Sequence, residues 1–207
     1  VSFLFNGKRV TGLKGDTIAS ALLANGVKIV ARSFKYGRPR GIFASWVDEP
    51  NAIFQIRDKG KSTPNVRGTV QEIYEGMVCR STNGWPSVKY DVMSVIGRLL
   101  GRVLSPGFYY KTFMFPVRFW KLYEYLIRRA AGLGSAPKIP DVDYYDKMNH
   151  HCDLLVIGAG PAGISAAVSA QMSGAYTILL DDQSEFGGSL LSVPRGQSPD
   201  IEAWLSD

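Results

Sequence analysis

Cysteine is nearly absent. Cys79 and Cys152 are the only two thiols in 207 residues, so neither a disulfide scaffold nor the four thiolates of an iron–sulfur cluster or a Cys-rich zinc site can be assembled. Histidine is equally scarce: His150 and His151 are adjacent, their side chains point apart, and with Cys152 they make no shared metal site. No Ser-His-Asp arrangement follows either, so neither a catalytic residue nor a metal ligand is assigned. No run of 18 apolar residues is present, which excludes a membrane-spanning helix, and no secretory leader is visible. A cytoplasmic chain with no membrane partner is therefore expected. Internal repeats and low-complexity tracts are missing too. Apolar residues at 45% and charged ones at 20% match ordinary globular proteins and exclude disorder and collagen-like order.

What is present begins with charge. A net charge of +6 permits a polyanionic partner without demanding one. Arg32, Lys35, Arg38 and Arg40 alternate with Phe34 and Tyr36. Such mixing serves single-stranded nucleic acid, whose bases stack on rings while cations hold phosphates. It equally serves an acidic neighbouring protein or a dinucleotide phosphate. Nothing else resembles an RNA or DNA module, so no nucleic-acid partner is expected.

Three composition regimes follow one another. Residues 1–80 alternate short apolar runs with turns, as a small mixed sheet does. Residues 1–5 and 8–11 read as strands around Asn6-Gly7, a strong hairpin signal. Asp16 is placed to cap a helix through Ile18, Ala19, Ala21, Leu22 and Leu23, which Asn25-Gly26 would close. Residues 28–30, 52–56 and 66–74 are further strand candidates, an α+β order that suggests a β-grasp fold. Residues 85–150 differ: nine of the chain's 24 aromatics fall between Phe108 and Tyr125. Phe119, Trp120, Tyr123 and Ile127 keep helical spacing after Pro116, a packing face by preference. Residues 133–141 read as a linker.

The third regime carries the chemistry. Asp153-Leu154-Leu155-Val156-Ile157 is the continuous apolar run of a strand buried on both faces. Gly158-Ala159-Gly160-Pro161-Ala162-Gly163 follows at once, then a helix over about 164–173, Gly174, and a second strand over 177–180 that ends in Asp181-Asp182. In this context a Gly-x-Gly-x-x-Gly motif points to a dinucleotide. Gly158 allows the tight turn, Gly160 lets backbone approach a pyrophosphate, and Gly163 lets helix and strand pack closely. Asp181, 21 residues after Gly160, can accept both hydrogen bonds of a ribose diol and would repel a 2′-phosphate, which favours NAD or FAD over NADP. Gly187 and Gly188 follow it by six and seven residues, a flavoprotein pattern. A parallel sheet of two strands cannot bury both faces, and residues 198–207 read as an interrupted helix start, so a fragment of a longer chain is expected.

The whole chain resembles the N-terminal part of the α subunit of heterotetrameric sarcosine oxidases. Residues 34–41 (Phe-Lys-Tyr-Gly-Arg-Pro-Arg-Gly) and 49–52 (Glu-Pro-Asn-Ala) carry the likeness in the first part. Residues 81–87 (Ser-Thr-Asn-Gly-Trp-Pro-Ser), 107–114 (Gly-Phe-Tyr-Tyr-Lys-Thr-Phe-Met) and 127–134 (Ile-Arg-Arg-Ala-Ala-Gly-Leu-Gly) carry it in the middle, and 158–163 with 181–189 in the last part. The resemblance implies α+β followed by α/β. A β-grasp domain of the [2Fe–2S] ferredoxin type but lacking cluster cysteines would occupy 1–82. A helical connector would occupy 83–150, and the first βαβ of a Rossmann-like FAD/NAD(P)-binding domain 151–207. The loop at 41–48 contains no cysteine, so no cluster is expected there. The resemblance further implies NAD held by Gly158, Ala159, Gly160, Pro161, Ala162, Gly163, Asp181, Asp182, Gln183, Gly188 and Ser189, with FAD the alternative at the same site. It places FAD and FMN elsewhere in a complex with β, γ and δ subunits. That complex would demethylate sarcosine oxidatively to glycine, form hydrogen peroxide and pass the methylene carbon to folate. Part of a related amine or N-methyl amino acid dehydrogenase, and a non-catalytic β-grasp and nucleotide module, are the other readings.

Overall fold

The computed structural model describes residues 1–58, 60–100, 116–141, 143–193, 200 and 203–204. The chain divides into two compact units, Val1–Asp141 and Val142–Asp207.

In the first unit the hairpin forms where Asn6 and Gly7 can both take positive φ, 50° and 81°, as a two-residue turn between twisted strands requires. It joins β1 (Ser2–Phe5) to β2 (Lys8–Thr11). Phe3 and Phe5 alternate inward on β1, so the period of two fixes one buried face. Helix α1 (Ile18–Ala24) buries Ile18, Ala19, Ala21 and Leu22. Its cap is not Asp16 but Thr17, which forms a reciprocal box with Ser20. Asp16 stands behind the cap, its carboxylate accepting from Ser20 Oγ and from the Leu13 N–H. Gly26 then takes a φ of 71° just past the helix end, as expected.

Residues 28–30 are not a strand. The chain there runs extended into a short hairpin of β3 (Ala31–Arg32) and β4 (Pro39–Arg40). Strand β5 (Ile53–Asp58) pairs antiparallel with β6 (Lys61–Arg67), and Pro64, which lacks an N–H, is tolerated because β6 is an edge. The expected strand over 66–74 stops at Arg67. Beyond it, the Gly68 and Gln71 carbonyls accept from the Ala19 and Ile18 N–H groups; they satisfy donors that the first turn of α1 leaves open.

Strand β7 (Val78–Ser81) lies between β1, to which it is parallel, and β5. The sheet order is β2-β1-β7-β5-β6. One mixed five-stranded sheet with α1 against it is the β-grasp arrangement. Its core gathers Phe3, Phe5, Ile18, Leu22, Val30, Phe54, Met77 and Cys79, and Phe5 meets Phe54 edge-on at 5.5 Å. Burial of a ring such as that of Phe54 contributes about 2–3 kcal/mol.

Helix α2 (Val92–Leu100) and helix α3 (Trp120–Ala131) follow. The expected helix after Pro116 is thus α3, entered through a turn of 3-10 helix over Val117–Phe119. Phe119 and Tyr123 stack edge-on at 6.2 Å. The aromatics at 108–115 lie outside the described residues. The chain after α3 is tied to the sheet. Gln55 exchanges both amide hydrogen bonds with the Ser135 backbone, and the Gly134 N–H donates to Asn65 Oδ1.

The second unit is a βαβ in the expected order: β8 (Leu154–Ile157), α4 (Pro161–Met172) and β9 (Thr177–Leu180), the strands parallel and in register from Leu154↔Thr177 to Ile157↔Leu180. The helix starts three residues earlier than its apolar spacing suggests, because Pro161 is suited to a first helical position. Burial of β8 on both faces is not found among the described residues, where Leu155 and Ile157 are exposed. One helix and two strands supply too little cover for an apolar run.

Candidate functional site

The glycine loop sits between the end of β8 and the start of α4. Gly158 has a φ of 100°, the left-handed region where a side chain is strained. Gly163 is required for a different reason: a Cβ there would lie 1.8 Å from the Gly158 carbonyl oxygen. Gly160 is the N-cap of α4 and has no side chain with which to cap it, so first-turn N–H groups at Ala162 and Gly163 stay available to an anion. A Cβ on Gly160 would meet nothing within 4 Å. The space beside Gly160 is therefore open. Pro161 and Ala162 form the rest of that turn.

Asp181 follows β9 directly and reaches this loop. Its Oδ2 accepts from the Ala159 N–H at 2.5 Å and its Oδ1 from the Gln183 N–H at 2.8 Å. These N–H groups, Ala159 foremost and then Gln183, hold its carboxyl below the usual carboxylate range, so it is an anion at neutral pH. With about four acceptor sites in all, the carboxylate keeps room for a hydroxyl donor. Asp182 and Gln183 bond to each other through Oδ1 and Nε2 at 2.8 Å.

The Gly187-Gly188 pair is expected to pass close to a dinucleotide. What it approaches here is the glycine loop itself. The Gly187 N–H donates to the Ala159 carbonyl at 2.8 Å, and a Cβ on Gly188, whose φ is 56°, would lie 2.9 Å from Gly160 Cα. Ser189 lies in the short helical turn over Gly188–Ser192. Ala159 is thereby fully buried, clasped on its N–H by Asp181 and on its carbonyl by Gly187. The spacing of the second glycine pair signals a close approach in the sequence, but not that its partner is backbone.

The first unit bears on whether a cluster fits. Its loop over residues 41–48 is organised by a carboxylate. Glu49, only 2% exposed, accepts from the N–H groups of Phe43 and Ala44 on Oε2 and of Asn51 and Ala52 on Oε1, at 2.6 to 3.0 Å. Cys79, the single cysteine of this unit, lies fully buried on β7, and burial pushes its thiol up to about 12. A protonated thiol in an apolar core is not a ligand. The donors present do not match those of a [2Fe–2S] centre.

Residues 1–84 match the family described as a 2Fe-2S iron-sulfur cluster binding domain, and residues 153–205 match the FAD dependent oxidoreductases. The sarcosine oxidase α subunit of Rhizobium meliloti is 55% identical over 193 residues, 93% of this chain and 20% of that protein. The α subunit from Corynebacterium sp. strain P-1 is 33% identical over 97% of this chain and 16% of its own length. A subunit of the opine oxidase of Agrobacterium tumefaciens is 49% identical over 53 residues, 26% of this chain and 10% of that protein. The chain thus spans a fifth or less of the curated relatives it matches. Within that span it combines a ferredoxin-like domain with a segment like the FAD dependent oxidoreductases, and over nearly its whole length it is similar to sarcosine oxidase α subunits.

Proposed function

We propose that the chain is part of the α subunit of a sarcosine oxidase and contributes the dinucleotide site of that enzyme. The complex would oxidatively demethylate sarcosine to glycine and reduce oxygen to hydrogen peroxide. The 55% identity to a sarcosine oxidase α subunit over nearly the whole chain is the observation that carries this reading. The glycine loop and Asp181 are the local support for it.

In this reading the division is 1–82, 83–150 and 151–207, and NAD is the ligand of the last part, with FAD the alternative at the same place. The bound dinucleotide would supply a two-electron redox group. The protein's part is to bind and orient it. Gly160, Pro161, Ala162 and Gly163 present the α4 terminus to the pyrophosphate, and Gly158 with Ala159 sets the turn beneath. Asp181 accepts from the ribose hydroxyls while its hydrogen bond to Ala159 keeps the turn in place. Asp182, Gln183, Gly188 and Ser189 border the same loop. FAD, FMN, the amine and folate sites would lie in other parts of the complex, together with the β, γ and δ subunits. The first unit would carry no iron–sulfur cluster, because its loop has no thiolate to offer and Glu49 organises that loop.

The test is binding to the 207-residue chain, with NAD followed by calorimetry and FAD by quenching of flavin fluorescence. One dinucleotide should bind, and Asp181→Asn should weaken it by about tenfold or more while leaving the circular dichroism unchanged, since it removes a charged acceptor. Unchanged affinity in Asp181→Asn, or no binding of either dinucleotide, would defeat the proposal and favour a non-catalytic module. A complex that turns over an opine or another secondary amine and not sarcosine would favour the second reading, for which the likeness to the opine oxidase chain over 53 residues speaks.

A further inference from the structure

The basic and aromatic stretch at residues 32–40 belongs to the first unit. Of it, Arg32, Ser33, Phe34 and Arg40 line a cavity of about 500 Å³, with Phe43, Asn51, Thr82, Asn83 and the end of α3 at Gly132. In volume it falls in the range of small-molecule sites, and it is open to solvent on one side.

The walls are held by groups that are already satisfied. The Arg32 guanidinium donates to the Val88, Lys89 and Gly37 carbonyls at 2.6, 2.9 and 3.0 Å. Asn83 bonds both the N–H and the carbonyl of Arg32. Glu49 spends its carboxylate on four N–H groups of the loop that bears Phe43 and Asn51. Arg32 is thus a clasp and not a ligand.

Two polar groups in the lining are open to solvent, Arg40 exposed and Asn51 half-buried. Neither the Arg40 guanidinium nor the Asn51 carboxamide makes a side-chain hydrogen bond or ion pair among the described residues. Among the described residues the lining holds two arginines, and the Glu49 carboxylate behind the Phe43 and Asn51 N–H groups offsets one of the two charges, so a net positive charge faces the cavity. At the rim Phe43 is 84% exposed and Phe34 39%, apolar surface beside an unneutralised cation.

We propose that this cavity binds a small organic anion, a carboxylate or phosphate carried on a flat apolar body. Arg40 takes the anionic group, with bidentate geometry open to it. Asn51 donates a second hydrogen bond, and Phe43 and Phe34 cover the body.

Phenyl phosphate, benzoate, inorganic phosphate and the neutral isostere benzyl alcohol are the probes, titrated by calorimetry into the 207-residue chain. Phenyl phosphate or benzoate should bind at least tenfold more tightly than benzyl alcohol. Arg40→Gln should weaken that binding tenfold or more and flatten its salt dependence. Phe43→Ala should weaken phenyl phosphate but not inorganic phosphate, and Asp181→Asn should change neither. Neither the Arg40 nor the Phe43 side chain holds another element in place, and an unchanged melting temperature would verify folding. Equal affinity in Arg40→Gln, equal binding of benzyl alcohol, or no binding of any probe overturns the proposal. The two anion arms distinguish a carboxylate ligand from a phosphate one.

Discussion

Gly163→Ala should unfold the second unit or leave it open to protease, although it adds a single methyl group. The new Cβ would lie 1.8 Å from the Gly158 oxygen and 3.0 Å from its carbonyl carbon. Both are backbone atoms, so no side-chain rotation relieves the contact. The turn between β8 and α4 would have to move by more than an ångström, and Ala159 would be pulled from Asp181 and Gly187. Overpacking of this kind costs about 1–3 kcal/mol and sometimes more. The gain in helix propensity from glycine to alanine returns only about 1 kcal/mol. Gly160→Ala is the control, because its Cβ meets nothing within 4 Å. It should keep the fold and, if a pyrophosphate lies against that position, lose dinucleotide affinity. Limited proteolysis and dinucleotide titration of both variants separate packing from binding. Equal protease resistance in Gly163→Ala and the parent would show that the close contact at this turn is not needed.

Glu49→Gln should lower the stability of the first unit by about 3 kcal/mol. The amide has one oxygen, so two of the four N–H groups now held would face an NH₂ group, and charge-assisted bonds are worth roughly twice neutral ones. For a unit of this size that is a drop of about 10 °C in melting temperature. The pH dependence has a definite sign. Burial alone would raise the Glu49 carboxyl, but the N–H groups of Ala44, Asn51, Phe43 and Ala52 together outweigh it and hold it below its usual 4.5. A carboxyl lowered in the folded state contributes stability that is complete above 4.5 and is lost as the pH falls through the folded value. The acid side of the stability curve should therefore be steep below pH 4.5 in the parent and flatter in Glu49→Gln. Denaturant melts from pH 3 to 7 read this directly; parallel curves would remove Glu49 from its place as the loop's organiser.

Much of this architecture is written in local signals, and the exceptions have physical reasons. Asn6-Gly7, the apolar face of α1, the helix after Pro116 and the glycine motif between two apolar strands each depend on a few consecutive residues, and each appears where its spacing puts it. Strand β7 does not stand out, since four residues including Arg80 carry no length or alternation. Its central place comes from partners far upstream, as in Phe5↔Cys79 and Phe54↔Ser81. Residues 66–74 look like a strand because they are rich in β-formers, but the open end of α1 draws their carbonyls away from the sheet. In the candidate site, Asp181 and the glycines are legible as types, while the Asp181–Ala159–Gly187 clasp is not. Glu49 gives no sign of its role either: a glutamate before proline reads as surface until four N–H groups are seen to converge on it.

The burial of Cys79 gives the molecule a built-in clock. An alkylating reagent needs a thiolate. At pH 8, with a thiol value near 12, about one Cys79 in ten thousand would be ionised even if it could be reached. Cys152, half-exposed in the other unit, meets the reagent without any opening of β7. Iodoacetamide followed by mass spectrometry should therefore label Cys152 first and Cys79 orders of magnitude more slowly. The Cys79 rate then counts how often the central strand parts from its neighbours, and a ligand that tightens the first unit would slow it. Two cysteines, too few to build a scaffold, suffice to time its breathing.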